Sequence, residues 1–275
     1  MSEQDGPAMD EHDGDHAVVK TLQLDARYYR SVPTDSAGYE EVTLSLPVEK
    51  TALIGLHCWN IGCPDGPPTD ANYCVGMGWP QPTVEAARIM AEVIRPAMDL
   101  ARSIGMAVCH VETDWMDRKY PHIESRRSDV AASIHPVRQE LFERAHGVDY
   151  MKRSPLAEMR RAEIVSPVGD EPLVFYSDAL DEYLRGRGIE TLIYMGFATD
   201  MCLLGAEGGA RHMLARGYRC IVIRDGTVGV ESPDTFPQRL ATNYGLHIFE
   251  WTLGHGCTFA QFKQATEKVQ DDRST

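Results

Sequence analysis

The stretch TLIYMGFATDMC at residues 191–202 limits what this chain can fold into more than any other. Its first half holds an uninterrupted apolar run, LIYM at 192–195. A run that short, without polar alternation, fits a strand buried on both faces of a parallel sheet. Gly196 ends the run, and residues 202–216 then read as a helix. Leu203, Leu204, Ala206, Met213 and Leu214 supply its apolar contacts, and Gly217 is placed as a C-terminal stop. A strand, a tight turn and a helix put Cys202 at a helix start. Unpaired N–H groups and the positive helix end there would lower a thiol's pKa, and the neighbouring amides would face an oxyanion. The competing reading of a lone cysteine at such a junction is a small buried hydrophobe.

The same alternation recurs along the chain. Apolar runs at 51–57, 106–111, 173–176, 219–224 and 247–251 have strand length, and helical periodicity covers 83–104, 179–187, 233–243 and 259–268. Thr83 stands where an N-cap would, and Pro96 is expected to kink or divide its helix. Between 112 and 177 the pattern weakens to two short proline-initiated helices, 136–146 and 155–164, which read as a lid beside the strand ends. Regular alternation of this kind implies an α/β fold, a three-layer α/β/α Rossmann-like sandwich with a mostly parallel central sheet. Three segments are expected: a disordered acidic tail over 1–16, an N-terminal arm or hairpin over 17–50, and one catalytic-size domain over 51–275.

Charge narrows the partners. Lys+Arg 27 against Asp+Glu 41 gives a formal charge of −14, which would repel a nucleic-acid backbone. No apolar run reaches the roughly 18 residues of a spanning helix, and the N-terminus lacks the regions of a signal peptide, so no membrane partner and a cytoplasmic location are expected. Seven cysteines scattered through apolar surroundings do not form a disulfide framework, which fits a reducing compartment.

In a doubly wound sheet the ligand lies beyond the carboxyl ends of the strands, where strand order reverses. That rule selects His57 with its loop, residues 110–114, and the turn before Cys202. GFATDMC at 196–202, followed by GAEGGARHMLARGY at 205–218 and IVIRD at 221–225, resembles the nucleophile region of the isochorismatase-like cysteine hydrolases, a family that includes nicotinamidases, carbamoylsarcosine amidases and ureidoacrylate amidases. The resemblance implies a hydrolase acting on a small carbon–nitrogen bond through a thioester on Cys202, with an aspartate at the end of the first strand as proton carrier and a lysine to steady the charges. Here His57 stands at the aspartate's place and no lysine aligns, Lys152 being the nearest upstream. Two readings follow. In one, His57 is the base and Asp114 or Asp178 orients its ring. In the other, the scaffold is a catalytically inactive small-molecule binding or regulatory protein. A cofactorless lyase or isomerase is a third class.

Trp59, Asn60, His110 and Trp115, at the ends of the first two strands, and Ala198 and Thr199, in the turn before Cys202, are the candidate substrate-binding residues. Nicotinamidase-type relatives hold a metal with an aspartate and histidines after the second strand. The corresponding DWM at 114–116 with His122 has methionine where a histidine ligand would stand, and methionine suits zinc or iron(II) poorly. No metal and no organic cofactor are therefore expected. The resemblance further implies a homodimer or homotetramer.

Overall fold

A computed structural model describes residues 19–70, 79–123 and 136–271. The expected acidic tail, 1–16, lies outside the described residues. Eight strands form one sheet: β1 (Thr21–Arg30), β2 (Gly38–Pro47), β3 (Thr51–Leu56), β4 (Ala107–Val111), β5 (Leu173–Val174), β6 (Thr191–Gly196), β7 (Arg219–Ile223) and β8 (Gly254–Cys257). Their order is β2-β1-β8-β7-β6-β3-β4-β5. The strands from β8 to β5 run parallel, while β1 pairs antiparallel with both β2 and β8. The hairpin expected near the N-terminus is thus the edge of this same sheet.

Burial explains the two central strands. Every residue of β3 and β6 is buried, as their unbroken apolar sequences require, and they pair in register from Thr51↔Thr191 to Leu56↔Gly196. From β3 the chain moves outward to β4 and β5, then returns to β6 on the other side of β3 and continues to β7 and β8. The order therefore reverses between β3 and β6, and it is beyond the carboxyl ends of such a strand pair that open α/β sheets hold their ligands.

The helices are α1 (Pro80–Ile89), α2 (Arg95–Ile104), α3 (Pro136–His146), α4 (Tyr150–Arg153), α5 (Ser177–Gly186), α6 (Cys202–Gly205), α7 (Ala210–Leu214), α8 (Leu240–Thr252) and α9 (Phe259–Asp271). One face of the sheet packs with Ile89, Met98 and Phe262 from α1, α2 and α9; the other packs with Leu180, Leu203, Met213 and Phe249 from α5 to α8. The result is the three-layer α/β/α sandwich that the alternation predicts. A π-helical turn, Met90–Ile94, joins α1 to α2 just ahead of Pro96, so the helix is divided there as the proline requires. The N-cap is Trp79, and the Thr83 hydroxyl instead donates to the Trp79 carbonyl at 3.1 Å.

Four further expectations change. The helix over 202–216 is two short helices, α6 and α7, because Gly208 takes φ +71° and Gly209 sits in extended backbone as the N-cap of α7. The helix expected at 233–243 and strand at 247–251 are replaced by a short 3-10 turn, Phe236–Gln238, and by α8, whose span covers the apolar HIFEW. The last strand comes later, as GHGC in β8, and its low β-propensity hides it. A Cβ on Gly254 would lie 1.9 Å from the Cys220 carbonyl oxygen, so close backbone approach selects glycine over a better strand former. Finally, the helix expected at 155–164 is two 3-10 turns, Pro155–Ala157 and Glu163–Val165, with an extended link between them. Arg161, in that link, bridges antiparallel to Trp59.

Candidate active site

Three strand ends are tied together by backbone hydrogen bonds. The His57 N–H donates to the Val111 carbonyl at 2.7 Å, and the Phe197 N–H donates to the Leu56 carbonyl at 2.9 Å. The ends of β3, β4 and β6 therefore meet, and the residues just beyond them, His57, Glu112 and the turn to Cys202, share one region.

Cys202 opens α6 and is half-buried. Burial pushes its thiol above the ordinary value; the Ala198 backbone N–H opposes this, while the charges of Asp200, Glu112 and Asp114 add to it. The lowered pKa expected from a long helix is absent because α6 has only four residues and little dipole to offer. In the turn, Ala198 follows a cis peptide from Phe197, and its carbonyl accepts from the Met201 and Leu203 N–H groups at 3.2 and 3.0 Å. Asp200 is held in place by its Oδ1, which accepts from the Val230 N–H at 2.8 Å. Thr199 is fully buried, its hydroxyl sharing a 2.7 Å hydrogen bond with the Thr227 hydroxyl.

His57 stands directly beyond β3 with φ 49°, its ring buried and stacked on Trp59 at a centroid distance of 6.0 Å. Neither ring nitrogen has a hydrogen-bond partner. Burial, aided by the Arg161 charge, pushes its pKa down to about 3, so the imidazole is neutral through the physiological range. Asp114 is exposed, and its Oδ1 accepts from the Trp115 N–H at 2.9 Å; its charge reaches Cys202. Asp178, the other expected orienter, pairs with Arg216 at 2.5 Å on the surface.

The remaining expected residues divide. Asn60 is buried and spends its side chain on the loop, donating to the Asp65 carbonyl at 3.1 Å and accepting from the Arg160 N–H at 2.8 Å. His110 is held by Glu171 at 2.8 Å, and burial pushes its pKa down to about 4; Glu171 also binds Arg102, so this histidine is drawn toward β5. Trp115 is partly buried beneath Lys119, whose ammonium lies 5.3 Å from the ring centroid. Lys152 is exposed and pairs with Asp149 at 3.3 Å, distant in role from any catalytic lysine. Met116 is packed in the core and His122 is exposed. Among the described residues no three His, Cys, Asp or Glu side chains come together as a metal would need. The thiols of Cys58 and Cys63 are pushed up by burial to about 12 and about 11.

The pattern did not point to Glu112 or Arg161. Glu112 directly follows β4, is wholly buried, and its Oε1 accepts from Arg161 Nη1 at 2.6 Å. Burial pushes its pKa up to about 7 against the opposing pull of Arg161. Its Oε2 has no hydrogen-bond partner, and the same holds for the Trp59 indole nitrogen and the Thr113 hydroxyl. Each such orphan costs about 1–3 kcal/mol in a packed core. Several of the unpartnered atoms among the described residues, those of His57, Trp59, Glu112 and Thr113, fall just beyond β3 and β4. Only the strand-end rule could have flagged Glu112, and nothing local flags Arg161, which is 49 residues away in sequence.

The isochorismatase domain model matches residues 71–253, beginning beyond β3, so the strand that carries His57 lies outside the match. The ureidoacrylate amidohydrolase RutB of Azorhizobium caulinodans is 25% identical over 236 residues, covering 82% of this chain and 94% of that protein. A ureidoacrylate amidohydrolase RutB of Methylorubrum extorquens is 43% identical over 53 residues, 19% of this chain and 20% of that protein. Among solved structures, a cysteine hydrolase from Pseudomonas syringae pv. phaseolicola 1448A superposes with a TM-score of 0.54 at 21% identity, covering 80% of this chain and 94% of that one, and shows the shared fold. With its sheet, its strand-to-helix cysteine turn and a family match over well over half its length, the chain belongs to the isochorismatase family of hydrolases, related to amidohydrolases.

Proposed function

We propose that this protein is a cysteine hydrolase that cleaves an amide or related carbon–nitrogen bond of a small molecule through a thioester on Cys202. The observation that carries this reading is the Cys202 turn: a half-buried thiol just beyond the strand ends where the order reverses, with the Ala198 N–H acting on its sulfur. In this reading the sulfur attacks the carbonyl carbon, the amine departs, and water releases the acid. The backbone N–H groups of the turn are the donors nearest the oxyanion that forms. His57, neutral with both nitrogens unpartnered, is available to hold a polar atom of the substrate, with Trp59 stacked behind it. Ureidoacrylate is the first amide to try, because full-length similarity extends to a ureidoacrylate amidohydrolase.

A second reading has its own support. An imidazole whose pKa is pushed down to about 3 is a poor acceptor for a thiol proton, and an inactive small-molecule binder would carry such a histidine without penalty. Ammonia release from a panel of ureido acids, carboxamides and nicotinamide separates the two. Hydrolysis by the native protein that falls more than about a thousandfold in Cys202→Ala supports the hydrolase. Tight binding without turnover supports the binder.

A further inference from the structure

Glu112 and Arg161 form a built arrangement that the family pattern of aspartate and lysine does not include. Arg161 is fixed by donating from Nε to the Val165 carbonyl at 2.9 Å and from Nη1 to the Gly55 carbonyl at 3.3 Å, which leaves Nη1 also against Glu112 Oε1 at 2.6 Å. Gly55 makes the room, since a Cβ there would come within 2.9 Å of Arg161 Nη2. One carboxylate oxygen is thereby anchored and the other, Oε2, is buried and free of hydrogen bonds. Thr113, whose hydroxyl is also unpartnered, follows Glu112 in sequence, and His57, with both ring nitrogens unpartnered, follows Leu56, the β3 partner of Val111.

We propose that Glu112, held by the positioning residue Arg161, accepts the Cys202 thiol proton and returns it to the leaving nitrogen, an inference that rests on the thioester reading above. The groups acting on the carboxyl are Arg161 and the Cys58 amide; its own charge acts on Cys58, Tyr120 and Cys202. Burial and Arg161 pull in opposite directions and leave it near 7, where it exchanges protons at neutral pH, whereas His57 near 3 does not. In the first half-reaction the S–H proton moves to Oε2, sulfur bonds to the carbonyl carbon, the C–N bond breaks, and the proton passes from Oε2 to nitrogen. In the second, water loses a proton to Oε2 as its oxygen bonds to the thioester carbon. The C–S bond breaks and the proton returns to sulfur.

The test is the rate of Cys202 alkylation by iodoacetamide between pH 5 and pH 10, read at that cysteine by peptide mass spectrometry, with ammonia release measured on the same proteins. Two coupled groups titrate in two macroscopic steps. The native protein is expected to show a lower step near neutrality and an upper one. Glu112→Gln, which can still accept from Arg161, is expected to keep only the upper step and to lose amide hydrolysis by about a hundredfold or more. Glu112→Asp, which keeps a titrating carboxyl if the glutamine variant does not fold, is expected to retain both steps with the lower one displaced. A Glu112→Gln or Glu112→Asp profile that superimposes on the native one overturns the proposal. If that occurs while Cys202→Ala is inactive, only the proton assignment has failed. If Cys202→Ala still hydrolyses amides, the thioester reading itself has failed.

Discussion

At the scale of single residues, the buried histidines set the response to acid. His57 and His110 take up a proton only near 3 and near 4 in the folded chain, against 6.5 in an unfolded one. Between those limits the unfolded chain binds more protons, so stability is present above pH 6.5 and is lost as pH falls. The limiting slope is about 1.4 kcal/mol per pH unit for each group. Glu112 runs the other way: folded, it holds its proton up to about 7 against 4.5 unfolded, so its contribution declines as pH rises through that window. Thermal melts between pH 7 and pH 4 should therefore show a shallower loss of stability in His57→Gln than in the native protein. Parallel slopes would contradict a neutral buried His57. Of the residues proposed for the site, Cys202 is legible in sequence because the turn that presents it is contiguous, whereas Glu112 and Arg161 are joined only by folding across 49 residues.

At the scale of elements, glycine positions control the turn into α6 and the break that follows. A Cβ on Gly196, at φ +117°, would lie 1.8 Å from the Leu56 carbonyl oxygen, because β6 ends against β3 there. Gly196→Ala should cost more than about 4 kcal/mol and yield little folded protein, as judged by soluble yield and circular dichroism. A Cβ on Gly209 would lie 2.6 Å from the Cys202 carbonyl, so Gly209→Ala should disturb the turn that holds the thiol. A melting point lowered by several degrees together with slower alkylation of Cys202 is the expected outcome; a lowered melting point with native alkylation would show that the turn does not depend on the break. The helix periodicity over 202–216 looked continuous because Gly208 and Gly209 interrupt it without removing an apolar residue. Similarly, HIFEW carries enough β-branched and aromatic residues to read as a strand, but in α8 its Phe249 and Glu250 turn inward, the latter to a bidentate pair with Arg27 of β1.

At the scale of the whole molecule, α8 presents Leu240, Tyr244 and Trp251 on one exposed helical face, at 52%, 65% and 48% exposure. A second copy of the chain is the proposed occupant, in keeping with the homodimer or homotetramer that the family resemblance implies. Light scattering should give at least a dimer, and Tyr244→Glu should shift it toward monomer; a monomer at micromolar concentration for the native chain would remove this face from consideration. Among the described residues no helix is long and apolar enough to cross a membrane.

Sequence alone determined the layered architecture, the two central strands and the place of Cys202, because each of these is encoded locally: an apolar run, a period, a glycine at a turn. It could not reveal that β8 is a glycine-bearing strand, since the Cys220 backbone that demands glycine arrives from another part of the chain. Nor could it show which side chains beyond the strand ends are buried and which of them are paired. Burial decides whether an imidazole or a carboxyl can exchange protons near neutrality, and burial is fixed only when β3, β4 and the Arg161 link close over His57 and Glu112.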